Sequence, residues 1–169
     1  MLQTLGQAGD FIGGIGVVVT LIYLAFEIHQ NSKQTKVAAA QSIMQSLSDY
    51  YRSASETDQL ARVVHMGMEN LDSLTDAEAT QFFFWGFSFF RLVELAHLHY
   101  RLGNIPESFW RGQVAHLEGL FAFPGCRNIY ERRQNVFSQE FQEFINNTVI
   151  QGPPMATGYL DDFLDPTRR

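Results

Sequence analysis

Apolar positions are distributed unevenly along this chain. From Phe11 to Phe26 the run FIGGIGVVVTLIYLAF carries no charge, is bracketed by Asp10 and Glu27, and is extended in character by Ile28. At 1.5 Å per residue, sixteen to eighteen helical residues reach about 24–27 Å, a little short of the roughly 30 Å hydrocarbon core of a bilayer. The run predicts one membrane-spanning helix with little tilt and some local thinning, in preference to the central helix of a soluble bundle. No Lys or Arg precedes it and no small-x-small cleavage site follows, so it reads as a retained anchor, not a cleaved signal. MLQTLGQAGD has no basic side chain, whereas Lys33, Lys36 and Arg52 follow the run. That bias predicts a single-pass protein with its N-terminus outside and its C-terminal domain cytoplasmic.

Small residues add a second pattern. Gly6, Gly9, Gly13, Gly16 and Thr20 are spaced 3, 4, 3, 4, one stripe along a helix, with a GxxxG pair at Gly9 and Gly13. Such stripes let helix backbones approach closely in lipid, which makes this one a predicted oligomer interface. The same spacing continues through Tyr23 to Glu27, an acidic ring at the cytoplasmic mouth of any symmetric oligomer.

Beyond the anchor the pattern stays helical. Val37, Ala40, Met44, Leu47, Tyr51 and Ala54 repeat at 3-4 spacing, which predicts a stalk with a narrow packing seam. A shorter helix is expected over 58–68, burying Leu60, Val63, Val64 and Gly67. Thr75-Asp76-Ala77-Glu78 matches a capping box and opens the stretch QFFFWGFSFF. With Phe82, Phe83, Phe84, Trp85, Phe87, Phe89 and Phe90 so close together, this helix is apolar all round and is expected to be surrounded. Phe82, Phe83, Trp85 and Phe89 are candidates for an apolar core or ligand pocket. The helix turns polar through Arg91, Glu94, His97, His99 and Arg101 and should stop at Gly103. Pro106 suits the first turn of the next helix, with Trp110, Val114, Leu117 and Phe121 on one face. Two short helices follow, over 126–136 and, capped by Ser138, over 139–149, the latter turning Phe141, Phe144, Ile145 and Thr148 inward. GPPMATGYLDDFLDPTRR lacks periodicity and holds three of the five prolines, so it reads as an extended tail, a possible seat for a protein partner through Tyr159, Leu160, Phe163 and Leu164. The expected fold class is all-α: membrane anchor over 1–30, cytoplasmic helical bundle over 31–150, extended tail over 151–169.

Composition narrows the partners. The 169 residues suffice for one domain plus an anchor. Net charge is −6 and the two lysines are Lys33 and Lys36, so no cationic stripe is available and nucleic acid is not an expected partner. The single cysteine, Cys126, has no second thiol for a disulfide or a structural zinc site. No cofactor and no metal is called for.

The candidate chemistry is sparse. Glu94 and His97 have the Glu-x-x-His spacing of carboxylate-bridged di-iron bundles, but no second pair exists, so an ion pair or hydrogen bond among Arg91, Glu94 and His97 is the better reading. His65 and His116 lack spaced acidic or thiol partners. Gly13-Gly14-Ile15-Gly16 lies inside the apolar run and is no phosphate loop. Arg91 with His97, and Arg111 with His116, are similar to the arginine and histidine motif of the HEPN family of helical ribonucleases. That resemblance implies an imidazole acting as acid or base and an arginine on the phosphate, joined across a dimer. Leu92 and Gly112 stand where that family carries a polar residue.

GGIGVVVTLIYLAFEIHQN, the aromatic helix ending in Arg91 and Glu94, PESFW and FSQEFQEFI together resemble an uncharacterised family of small bacterial proteins with one N-terminal membrane helix. The resemblance covers roughly the first 150 residues and implies an all-α, inner-membrane protein without an assigned activity. In layout alone the chain is also similar to small membrane-anchored accessory proteins of bacterial defence systems that assemble into rings. The expected function is a non-enzymatic homo-oligomer acting as scaffold, accessory or pore-forming assembly, with itself and the lipid bilayer as partners. The alternatives are a HEPN-like ribonuclease or defence effector using Arg91 and His97, and a binding module for an apolar ligand.

Overall fold

The computed structural model describes the backbone of residues 2–150 and the side chains of Gly14 and of residues 16–150; the tail over 151–169 lies outside the described residues. Six α-helices account for most of it, with no strand among the described residues: α1 Leu2–Ala54, α2 Asp58–Glu69, α3 Asp76–Arg101, α4 Glu107–Phe121, α5 Pro124–Arg133 and α6 Gln139–Phe144. Short 3-10 turns at Leu71–Ser73 and Gln134–Val136 and a π-helical turn at Ile145–Val149 are the remaining elements among the described residues. The all-α class expected from the sequence is what the chain adopts. It divides into two compact units, Met1–Ala38 and Ala39–Arg169, and α1 runs through the boundary.

In the first unit, from Val17 to Ile28, nine large apolar side chains are between 47% and 70% exposed. Consecutive positions point in every direction around a helix, so this segment has no buried side. Its polar interruption, Thr20, turns its hydroxyl onto the Gly16 carbonyl at 2.8 Å, which satisfies the hydroxyl within its own helix. Among the described residues no helix is long and apolar enough to cross a membrane. The surroundings of residues 2–13 and of Ile15, which include the start of the apolar run and Gly6 and Gly9, are not described.

The second unit is a bundle around α3. Thr75 and Glu78 form the reciprocal capping box, the Thr75 amide donating to Glu78 at 2.9 Å, and Arg62 of α2 pairs with the same carboxylate. Phe82, Phe89 and Phe90 are at most 2% exposed, and Leu117 and Ile145 are fully buried against the same core. The aromatic helix is not surrounded all round, however: Phe84 is 61% exposed, and Phe83, Trp85 and Phe87 are half-buried. One lane of the bundle's surface is left open there.

The residues α1 buries also differ from the expected seam. Ile43, Leu47 and Tyr50 face the core, Tyr50 stacking on Trp85 with ring centroids 4.9 Å apart, while Met44 is 56% exposed. Both stripes have helical spacing, and the aromatic partners on α3 select the one carrying Ile43 and Tyr50. α2 and α5 cross at two glycines: a Cβ on Gly125 would fall inside the Gly67 carbonyl oxygen, and one on Gly67 would meet the Phe82 ring at 2.5 Å. Pro124, not Cys126, begins α5, and Pro106 is the N-cap of α4 rather than its first helical residue. The last turn is wound to i→i+5, closed by the Ile150 amide on the Ile145 carbonyl at 3.0 Å. The wider turn passes the inward position from Thr148, which is exposed, to Val149, which is 5% exposed.

Candidate functional site

The polar end of α3 and the start of α6 enclose a cleft of the bundle. A pocket of about 310 Å³ is lined by Arg91, Glu94, Leu95, His97, Leu98, Arg101, Ser138 and Glu140. A neighbouring one of about 320 Å³ shares His97, Arg101 and Glu140 and adds Glu143, Phe144, Asn147 and Thr148. The helical register explains the assembly: Arg91, Glu94 or Leu95, Leu98 and Arg101 or Leu102 recur at 3-4 spacing, so one lane of α3 carries arginines and leucines together.

Each charge on this lane is tied down. Arg91 pairs with Glu94, its guanidinium lying 5.9 Å from the centroid of the Phe137 ring, and Arg101 reaches Glu140 at 3.3 Å. Glu94 also accepts the Ser138 backbone N–H at 2.7 Å. Ser138 therefore does not cap α6 with its own hydroxyl as the sequence suggested; the cap at that helix start comes from a carboxylate on α3. The Glu140 carboxyl is held below its ordinary range first by its own backbone N–H and then by Arg101.

Among the described residues His97 is the one buried polar or charged side chain, 8% exposed. Its ring lies 4.9 Å from Phe144, 5.3 Å from Trp110 and 5.7 Å from Phe141. Burial, and after it the Arg101 charge, hold its pKa below the ordinary value, against the weaker opposing pull of Glu140 and Glu94. The imidazole stacks on Phe144, is tilted against Trp110 and Phe141, and lines both pockets. Arg91 and His97 thus line one pocket, but the arginine is committed to Glu94.

The second arginine and histidine pair is not brought together. Arg111 is exposed and pairs loosely with Glu107 at 3.9 Å, while five residues on His116 packs 5.5 Å from Tyr51 and from Phe89. Five residues turn a helix about 140° past a full revolution, so the two side chains leave opposite sides of α4. Glu94 and His97 gain no further ligands: among the described residues no group of three or more His, Cys, Asp or Glu side chains converges. Cys126 is buried, and the apolar surroundings push its thiol up to about 12.

Of the predicted interface residues, Gly16 has open space around it, with nothing within 4 Å of an added Cβ, and Thr20 and Glu27 are exposed. The surroundings of Gly6, Gly9 and Gly13 lie outside what the structure describes. Phe82 and Phe89 belong to the buried core, with Phe83 and Trp85 packed partly against it. The leucine lane of Leu95, Leu98 and Leu102, respectively 42%, 50% and 62% exposed, went unnoticed in the sequence, although its 3-4 spacing was legible there. Comparison of the chain with protein-family models, with curated proteins and with solved structures gives no match.

Proposed function

We propose that the chain is a membrane-anchored helical protein that self-associates through its N-terminal segment and acts as a non-enzymatic scaffold, accessory or pore-forming assembly. The observation that carries this reading is the exposure of every large apolar side chain from Val17 to Ile28. These nine large apolar side chains need either lipid or other apolar helices against them; lipid supports the anchor and neighbouring copies support self-association. The Thr20 hydroxyl, already bonded to Gly16, does not oppose burial in hydrocarbon, and Glu27 marks the polar end of the segment. The basic flank at Lys33 and Lys36 favours a cytoplasmic bundle.

Gly16 offers the test. A Cβ added there has nothing within 4 Å, so a change in assembly in Gly16→Leu reports on neighbouring chains. In detergent, analytical ultracentrifugation of the full chain should give an oligomer that Gly16→Leu weakens; monomers for both proteins would end the proposal. The ribonuclease alternative draws less support, since His97 is buried and Arg91 is already paired. RNA cleavage by the purified chain that is lost in His97→Ala would revive it.

A further inference from the structure

His97 is 8% exposed, and among the described residues neither ring nitrogen has a hydrogen-bond partner. The unbonded polar side-chain atoms sealed from solvent belong to Tyr50, Trp85, Gln113 and Tyr130, and His97 is not one of them. The unused hydrogen-bonding capacity of the imidazole therefore opens into the cleft that the ring lines. The charged groups beside it differ. Arg91 is paired with Glu94 and Arg101 with Glu140, so their charges cancel along the wall they share, and Glu143 accepts from the Gln139 amide at 2.9 Å. Hydrogen bonding and apolar contact are left to select an occupant. Leu95 and Leu98, 42% and 50% exposed, supply apolar contact in one pocket, and half-buried Phe144 supplies it in the other. Beside Phe144 the π-helical turn carries Asn147 and Thr148 into the same wall, and turns of this kind recur at functional sites.

We propose that this cleft binds a small uncharged molecule with an apolar body and a hydroxyl group, a phenol or an alcohol, its hydroxyl bonded to the His97 imidazole and its body against Leu95 and Leu98. A neutral imidazole carries one N–H donor and one lone pair, and a hydroxyl both donates and accepts, so it satisfies whichever nitrogen faces the cleft. A carboxylate would find the donor alone, with Glu94 and Glu140 beside it. An ammonium would find the lone pair alone, with Arg91 and Arg101 beside it. Trp110, Phe141 and Phe144 pack around the ring and hold it in place, so little ordering remains to oppose binding. About 310 Å³ lies at the lower end of the range for small-molecule sites and suits a body of one or two rings.

Equilibrium dialysis of the full chain in lipid nanodiscs at pH 7.5, beside empty nanodiscs, tests the proposal with 2-naphthol, 2-methylnaphthalene and 2-naphthoate, probes of nearly one size. 2-Naphthol should bind saturably, one per chain, with a Kd of about 0.1–1 mM, ordinary for a ligand this small. 2-Naphthoate should bind at least about fivefold more weakly. His97→Phe keeps the aromatic packing and should lower the affinity ratio of 2-naphthol to 2-methylnaphthalene about two- to tenfold, the range one hydrogen bond spans. Leu98→Asp, at an exposed position, should weaken both neutral probes several-fold with an unchanged circular dichroism spectrum, and this arm stands even where His97→Phe does not fold. Absence of saturable 2-naphthol uptake, naphthoate bound as tightly as naphthol, a ratio unmoved by His97→Phe, or binding undiminished in Leu98→Asp would each overturn the proposal. The cleft lies wholly in the second unit, so a monomer that binds 2-naphthol, or an oligomer that does not, separates this proposal from that of self-association.

Discussion

His97→Phe is a perturbation whose sign and size follow from the packing around one ring. The imidazole sits among Trp110, Phe141 and Phe144, and burial, then Arg101, lower its pKa from the ordinary 6.5. A histidine whose folded pKa lies below its unfolded one is neutral in the native state while the unfolded chain still binds a proton. Its stabilising contribution is therefore complete above about pH 6.5 and is lost as pH falls below that value, at up to about 1.4 kcal/mol per pH unit for one proton. His116, also lowered by burial, adds a second loss in the same window. Glu78 and Glu140 have lowered pKa values too, so their contributions are lost only below the ordinary carboxylate value of 4.5. Between pH 7.5 and 5 the histidines dominate. Phenylalanine has nearly the shape of the imidazole's aromatic slot and should change stability at pH 8 by no more than about 1 kcal/mol. Reversible urea unfolding of the full chain in detergent, followed by circular dichroism across this range, should show a steeper decline in the parent than in His97→Phe, which retains the His116 share. An unaltered slope would refute the assignment of His97 as a buried neutral side chain, and loss of folding at pH 8 would refute the aromatic slot.

Two further substitutions test the packing. Phe82→Ala should cost about 3–5 kcal/mol by leaving a cavity in the core, while Phe84→Ala, two residues on, should stay within about 0.5 kcal/mol, both read from denaturant midpoints; equal costs would contradict the open lane on α3. Gly125→Ala drives a methyl into the Gly67 carbonyl, so it should prevent α2 and α5 from closing and abolish cooperative unfolding in circular dichroism; near-parent stability would contradict that approach.

Local rules were strong enough to read much of the fold from the chain. The Thr75 and Glu78 capping box, the Gly103 stop at φ 68° and the inward face of α4 depend on neighbours within one or two turns, and each is where the sequence places it. Choices between two adequate stripes were not legible. On α1 the stripes through Met44 and Ile43 have the same spacing, and only Trp85 and Phe89 of α3 decide between them. The π-helical turn was hidden for the same reason: INNTV carries no signature of i→i+5 bonding, yet that turn exchanges Thr148 for Val149 in the core. At the candidate site the sequence brought Arg91, Glu94 and His97 into one frame but could not show the destination of Glu94. That carboxylate bonds Ser138, 44 residues away, a contact no spacing rule reaches.

The central claim is that the apolar surface from Val17 to Ile28 is covered by lipid and by copies of itself. Its most direct measurement is alkaline carbonate extraction of bacterial membranes holding the full chain, beside a variant carrying Val18→Lys and Ile22→Lys. Each lysine near the centre of a spanning helix costs roughly 2.5–3.5 kcal/mol of insertion free energy, enough together to reverse partitioning. The account predicts that the parent stays in the membrane pellet and the variant moves to the supernatant; a parent fully released by carbonate would contradict it.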